Sequence, residues 1–404
     1  MTAITTRCCI VGGGPAGMML GFLLARAGVD VAVLEKHADF LRDFRGDTIH
    51  PSTLEIMNEL GLLDEFLKLP HTKARTLGGD FGGIRFTFAD FSHLPTVAKY
   101  IALMPQWDFL NFLADHGKAY PGFHLRMRAE AVDLIEEGGR VAGVRANTPD
   151  GPLEIRADLT VGCDGRHSTL RERAGMKVDD LGAPMDVLWF RLPRHDGDSA
   201  ESMGRFEAGR ILVLIERGDY WQCAYVIPKG GIDEVHRAGL DAFRAGIARS
   251  VPMFADRVTE LKDWDQIKLL TVAVDRMPVW HKPGLLCIGD AAHAMSPIGG
   301  VGVNLAVQDA VAAANMLWEP LRRGHVSEAD LARVQTRREF PAKLTQTIQV
   351  FLQNKVISRA LAASGELQAP LPVRLMARWP LLRRIPARLL GLGVRPEHVK
   401  TPVA

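Results

Sequence analysis

The segment Arg7–Lys36, RCCIVGGGPAGMMLGFLLARAGVDVAVLEK, decides how the chain is to be read. An apolar run, Cys8–Val11, meets Gly12-x-Gly14-x-x-Gly17, and a helical pattern runs from Pro15 to a stop at Ala27-Gly28. A second apolar run, Val31–Leu34, ends on Glu35. Strand, tight turn, helix and strand in that order form the nucleotide-binding unit of a doubly wound α/β sheet. The first glycine allows the turn, the second admits a pyrophosphate against the backbone, and the third lets the helix pack on the strand. Pro15 and Ala16 open a helix whose free N–H groups and dipole face the phosphates. An acid 18 residues beyond Gly17 suits ribose hydroxyls and repels a 2′-phosphate, so the adenosine belongs to FAD or NAD rather than to NADP. As a membrane segment the same stretch fails, because three consecutive glycines and a proline interrupt it.

The bulk properties fit that reading. A chain of 404 residues is long for one core and predicts two packed domains. A net charge of +2 gives no reason to expect a nucleic-acid partner. The five cysteines lie in apolar, strand-like runs without CxxC or zinc spacing, which predicts buried reduced thiols, no metal site and a cytoplasmic protein.

Two further stretches repeat the strand-to-loop pattern. In ADLTVGCDGRHSTLRERAG, Ala157–Gly175, an apolar strand delivers Asp164-Gly165, and Thr169-x-x-Glu172 has the form of a capping box. Just before it, turns at Gly138-Gly139 and Pro149-Asp150-Gly151 divide a three-stranded meander. In GLLCIGDAAHAMSPIGGVGVNLAVQDAVAAANML, the strand Leu285–Ile288 delivers Gly289-Asp290, where a carboxylate would accept hydrogen bonds from a polyol. Pro297 stiffens the loop, and Gly299, Gly300 and Gly302 lead into a helix from about Val303 to Trp318. Bare glycines let a planar ring lie on the backbone, and the helix end beyond them stabilises negative charge on it, as on a reduced flavin.

These three stations resemble the class A flavoprotein monooxygenases, aromatic hydroxylases with the p-hydroxybenzoate hydroxylase fold, over roughly residues 5 to 345. The resemblance implies a Rossmann-like α/β FAD-binding domain with an antiparallel-sheet substrate domain and a C-terminal helical tail. The implied boundaries are 1–72, 97–178 and 268–345 for a discontinuous FAD domain, 73–96 and 179–267 for the substrate domain, and 346–404 for the tail. Carried over by position, Gly12, Gly14, Gly17 and Glu35 would hold the ADP part of FAD, with Pro15 and Ala16 in the same loop and Lys36 beside the adenosine. Arg45 would contact flavin and pyrophosphate, Gln106 the ribityl chain, and Val132 the adenine through its backbone. Asp164 marks the second signature. Gly289 and Asp290 would take the ribityl hydroxyls, Pro297 would sit over the flavin near the oxygen site, and Gly300, Val301, Gly302, Val303 and Asn304 would line the pyrimidine edge. The family uses NADPH or NADH as a transient reductant, and O2 adding at flavin C4a gives a hydroperoxide that oxygenates an aromatic, polycyclic or quinone-like molecule. The protein then supplies orientation, water exclusion and substrate activation.

The substrate layer is less sharply marked. Alternation over Thr72–Phe91 and Met185–Gly231 predicts an antiparallel sheet, with Trp189, Arg191, Arg210, Tyr220 and Tyr225 as pocket candidates. His50 and His293 stand near flavin stations in sequence and could meet a substrate phenol; Pro297, His50 and Tyr220 are the expected catalytic group. The segment Leu371–Lys400 holds seven Lys or Arg against one Glu and is broken by Pro380 and Pro386. It suits either peripheral contact with an anionic membrane or packing on the domain with solvated arginines. Rival readings are a flavin-dependent reductase on the same fold and a non-catalytic flavoprotein that binds a ligand, as monomer or homodimer. A halogenase signature fails, because WQCAYVIP keeps only Trp221 and Ile227-Pro228 of WxWxIP.

Overall fold

The computed structural model describes residues 2–41, 48–198, 202–365 and 367–404. Arg45 lies outside the described residues.

The strand Thr2–Val11 is flanked by two parallel neighbours, Val31–Glu35 and Gly151–Gly162, and the latter pairs in parallel with Leu285–Cys287. Register fixes what this sheet offers. Val11 stands opposite Leu34 on one side and Gly162 on the other, and Gly162 stands opposite Cys287. All three signature loops therefore leave the sheet at one carboxyl edge, the place where open α/β sheets bind ligands. The strand Phe123–Met127 extends the sheet beyond Val31–Glu35. The meander forms as expected from Glu130–Glu137, Arg140–Thr148 and Gly151–Gly162, and its third strand is also the central parallel strand. Glycines at φ +57° and +77°, Gly138 and Gly139, make the first turn. The helix Pro15–Arg26 buries almost its whole length between this sheet and the helix Gly302–Arg322.

The second sheet has seven strands in the order Lys268–Leu270, Met185–Pro193, Tyr220–Pro228, Arg210–Glu216, Met203–Glu207, Thr76–Phe81 and Ile84–Asp90. It is not wholly antiparallel, since Met203–Glu207 pairs in parallel with Thr76–Phe81. Alternate residues serve two cores. Leu188, Phe190, Leu212, Leu214 and Trp221 pack with Phe243 and Ile247 of the helix Leu240–Ser250. Val187, Ile211, Ala224 and Val226, with Trp189 and Val213, pack with Ile298 of the glycine loop and Val350 of the helix Glu328–Leu352. The second face thus roofs the loop of the third station. A small sheet joins the layers, with Ile101–Leu103 between Thr48–Ile49 and Thr72–Ala74.

Two local expectations are corrected. Ser168, one residue earlier than expected, caps the helix Thr169–Arg173 by accepting from the Arg171 N–H, because it is the residue that keeps extended geometry there. Pro380 ends the helix Leu371–Arg378, but Pro386 does not break the tail. It is the third residue of the helix Arg384–Gly391, where a backbone N–H has no intrahelical partner to lose. The tail exposes Leu371, Trp379, Leu381 and Ile385 beside its arginines, and among the described residues no helix is long and apolar enough to cross a membrane.

Candidate functional site

Gly12 takes φ +106°, a left-handed conformation that favours glycine, and its N–H donates to the Leu34 carbonyl at 2.8 Å. A methyl group on Gly12 would lie 2.3 Å from the Cys163 carbonyl oxygen, and one on Gly17 would lie 1.9 Å from the Gly12 oxygen. These two glycines are needed by the protein's own packing. Gly14 is different. It has φ −76° and ψ −174°, ordinary extended geometry, and a methyl group there would meet nothing within 4 Å. Among the described residues nothing requires a glycine at this position, which favours the approach of a ligand as its reason.

The helix Pro15–Arg26 has no side-chain cap on its first turn, and neither has Gly302–Arg322. Their starts converge on Gly289 (φ +61°), where a methyl group would touch Ala16 Cβ at 3.2 Å and Ala306 Cβ at 3.4 Å. Two helix ends with free N–H groups, side by side at a sheet edge, make a place for the phosphates and the electron-rich ring edge of a flavin dinucleotide. Gly299 and Gly300, at φ +78° and +61°, form the floor before the second helix, where a methyl group would meet Leu390 Cδ2 at 2.8 Å and Thr48 Oγ1 at 2.4 Å, respectively. The donor set fits the cofactor.

Side chains lock these loops together. Both oxygens of buried Glu35 accept backbone N–H groups, from Gly13 at 3.1 Å and His37 at 2.9 Å, which closes the first loop over the second strand. Asp164 accepts from the Leu170 N–H at 3.2 Å while its other oxygen is buried without a partner, and burial pushes its carboxyl above the ordinary value. Arg166 and Arg171 join the second station to the third. The Arg166 guanidinium reaches Asp290 at 3.6 Å, and Arg171 donates to the Ala291 carbonyl at 3.1 Å. The sequence reading passed over both arginines; a cation directly after Asp164-Gly165 was the available signal. Asp290 stays part-exposed at the sheet edge, with its side chain 34% accessible. Val132 is the extra residue of a bulge, and its carbonyl accepts from Arg173 Nε at 3.1 Å. Gln106 begins the helix Gln106–Gly117, and Lys36 is exposed beside the first loop.

Asn304 knits the third station to the small sheet. Its Oδ1 accepts from the His50 N–H at 2.8 Å and the Thr53 hydroxyl at 2.7 Å, and its Nδ2 donates to the Thr48 carbonyl at 3.1 Å. The Asn304 side chain is thereby fully engaged within the protein. Thr48 donates its hydroxyl to the Gly300 carbonyl at 2.8 Å, holding the glycine floor from the other side.

His50 is fully buried and its Nδ1 lies 2.7 Å from the Leu390 carbonyl. A carbonyl only accepts, so Nδ1 carries the proton of the neutral ring and Nε2, which has no partner, is an acceptor. Burial lowers the imidazole to about 4, against the upward pull of the Leu390 carbonyl. The native state then refuses a proton that the unfolded chain binds below its ordinary value of 6.5. Stability from neutral His50 is present above pH 6.5 and is lost as the pH falls toward about 4. The loss amounts to about 3 kcal/mol at most. Denaturant midpoints of His50→Gln measured across that window should fall less steeply than those of the parent; equal slopes would refute the assignment.

Three expected pocket residues go elsewhere. Tyr225 packs on Phe243, with ring centroids 5.1 Å apart, and its hydroxyl lies 3.2 Å from Arg210 Nε. Arg210 also donates to Ser250 at 3.1 Å, so both sit beneath the helix Leu240–Ser250, on the face turned away from the glycine loop. His293 is buried in an ion network rather than presented to a substrate. Its Nε2 meets Asp309 at 2.6 Å, the other Asp309 oxygen accepts from Arg338 at 2.9 Å, and Arg338 reaches Glu397 at 3.4 Å. The Gly289 N–H donates to the same Asp309 at 3.1 Å. Trp189 belongs to the face that packs on Ile298, and Tyr220 carries the Arg191 guanidinium over its ring at 4.8 Å. All five cysteines are buried free thiols.

A family model described as an FAD binding domain matches residues 5–347. The chain is 32% identical over 391 residues to the 6-methylpretetramide 4-monooxygenase of Streptomyces rimosus, covering 95% of this chain and 92% of that protein. It is 29% identical over 321 residues to a rifampicin monooxygenase of Streptomyces venezuelae, covering 77% of this chain and 63% of the other. The p-nitrophenol 4-monooxygenase PnpA of Pseudomonas putida DLL-E4 superposes with a TM-score of 0.77 at 21% identity, over 98% of this chain and all of that one. At that identity the likeness speaks for the fold.

Proposed function

Since the chain belongs to the FAD-binding family of class A aromatic monooxygenases, and is an FAD-dependent monooxygenase, we propose that it hydroxylates a polycyclic aromatic molecule at the expense of O2 and NADPH or NADH. The overall balance is one oxygen atom into a C–H bond and the other into water, with the nicotinamide supplying two electrons. The observation that carries the reading is the pair of uncapped helix ends meeting at Gly289 beneath a roof of apolar strand residues. The relative that shares most of its length with this chain acts, by its name, on a pretetramide, which favours a fused-ring substrate.

When bound, FAD supplies the electron transfer from nicotinamide and the activation of O2. The chain's own residues do the rest. The N–H groups of Gly302, Val303 and Asn304 would hold the pyrimidine edge, Asp290 the ribityl hydroxyls, and Gly12 to Gly17 with Glu35 the ADP end. Gly299 and Gly300 would present backbone to the ring, and Trp189 and Val213 would help to exclude water from the chamber. His50, neutral across the physiological range, acts there as a hydrogen-bond acceptor rather than as a base.

The test is NADH and NADPH oxidation by the FAD-loaded protein, with and without a panel of naphthols, anthraquinones and linear tetracyclic phenols. At least one fused-ring compound should accelerate oxidation and gain one oxygen by mass. Acceleration with no oxygen gained by any compound would overturn the hydroxylase reading in favour of a reductase.

A further inference from the structure

A cleft of about 530 Å³ opens where the second sheet meets the small sheet. That is the size of a pocket for a drug-sized molecule. Its wall carries four cations, Lys73, Arg75, Arg85 and Arg383, and one aromatic ring, Phe86. Among the described residues, Glu216 is the only carboxylate lining it, and that carboxylate already accepts from the Gly218 N–H at 2.7 Å and faces Arg194 at 3.7 Å. Glu216 is therefore already engaged and is not left to neutralise Lys73 or Arg75.

Two of the cations are held as a pair. The Lys73 ammonium lies 5.0 Å and the Arg75 guanidinium 5.8 Å from the centre of the same ring, Tyr100, which is itself stacked on His71. Neither has a carboxylate at ion-pair distance among the described residues. The ring fixes both heads on one wall, where like charges repel until an anion lies between them.

The cleft also borders the small sheet that touches the glycine floor. Leu103 and Thr72 line it, Thr72 pairs with Leu103 on one side, and Thr48 pairs with Leu103 on the other. Thr48 is the residue bonded to Gly300 of the flavin floor. Two strand spacings, about 10 Å, thus separate Thr72 from Thr48, a span that one fused-ring molecule bridges.

We propose that this cleft receives the anionic end of the substrate, a carboxylate or ionised phenol on a fused-ring molecule whose other end reaches past Leu103 to the glycine floor. The assignment rests on the hydroxylase reading for the substrate's second end, but its anion selectivity is testable without turnover.

Anthraquinone-2-carboxylate and anthraquinone-2-carboxamide serve as probes, titrated into the FAD-loaded full chain and followed by the flavin absorption spectrum. The carboxylate should bind about tenfold more tightly than the amide at low salt, two screened ion pairs being the source. High ionic strength should erase the difference. The double variant Lys73→Gln/Arg75→Gln should retain FAD and its melting temperature yet bind both probes alike. Equal binding by the parent, or a carboxylate preference that survives in the variant, would overturn the proposal. So would displacement of the carboxylate probe by NADP⁺ together with a KM for NADPH, rather than for the aromatic, raised in the variant; the cleft would then serve the reductant's phosphates. Failure of the hydroxylase reading would instead appear as NAD(P)H oxidation with no oxygenated product, whatever the probes do.

Discussion

Gly12→Ala should cost at least about 3 kcal/mol of stability and give a protein that emerges from purification without flavin. The added methyl group would stand 2.3 Å from the Cys163 oxygen, 2.5 Å from its carbon and 2.8 Å from the Asp164 nitrogen, all backbone atoms with nowhere to retreat. The Cys163 N–H donates to the Val11 carbonyl at 2.7 Å, so relieving the clash means parting the central strands at their ligand-binding edge. The positive φ of Gly12 adds strain that no rearrangement of neighbours removes. Gly14→Ala is the matched control. Its methyl group meets no atom of the described residues within 4 Å and its dihedrals suit any residue, so the melting temperature should stay close to that of the parent. Flavin should nonetheless bind at least about tenfold more weakly, because the methyl group takes the space of a pyrophosphate oxygen or its hydrogen-bonding water. Calorimetry and flavin titration of the two variants decide the matter. A Gly14→Ala protein that holds FAD as tightly as the parent would mean that the dinucleotide does not pass this loop.

Asp309→Ala should be the most destabilising change outside the glycine loops, at about 3–5 kcal/mol, or about 10 °C in melting temperature. Asp309 is wholly buried and serves three groups at once, His293, Arg338 and the Gly289 N–H. Alanine would leave the Arg338 charge inside the protein with only Glu397 and the Arg395 carbonyl for company. Burial alone would push the Asp309 carboxyl up, but His293 and Arg338 outweigh it and hold the group below the usual carboxylate range. Its contribution is therefore present above the ordinary carboxylate value and is lost as pH falls through the depressed one. Thermal melts of parent and Asp309→Asn should converge in acid and separate toward neutrality. A neutral-pH melting temperature for Asp309→Ala within about 2 °C of the parent would show that the network contributes little.

The fold and the cofactor stations were legible because their signals are local. A glycine that must take φ +106°, an acid at the end of an apolar run and a proline before bare glycines declare themselves within a few residues. The meander was legible for the same reason, its turns being written in Gly138-Gly139 and Pro149-Asp150-Gly151. What sequence could not supply was sign and distance. Alternation correctly separates the two faces of the strand Tyr220–Pro228, but parity does not say which face the flavin loop will occupy. Tyr225 and Arg210 were therefore assigned to the wrong side. His293 was misread because its partner is 16 residues away and the next cation, Arg338, a further 29. One clue was present: Asp309 stands almost alone among small apolar residues in the helix Gly302–Arg322, and an isolated acid inside such a run is a buried group in need of a cation. The cationic cleft was not legible as a whole, since Lys73 and Arg75 come from one segment, Arg85 from another strand and Arg383 from the tail.

The closing segment of the chain has a consequence for how the enzyme comes to be. Residues 395–401 lie along the helix ends behind the flavin loops, through the Arg395 carbonyl and Glu397 on Arg338, His398 and Lys400 on Asn315, and Thr401 on Arg26. Glu397 helps to balance the arginine that steadies Asp309, and Asp309 steadies Gly289, so the cofactor's seat is finished by residues that the ribosome adds after all others in that seat. At about 5–20 residues per second the glycine loop Gly12–Gly17 waits roughly 20–80 s for them. A chain interrupted before Arg395 would carry every signature loop yet lack the contacts that the Arg395 carbonyl and Glu397 make with Arg338.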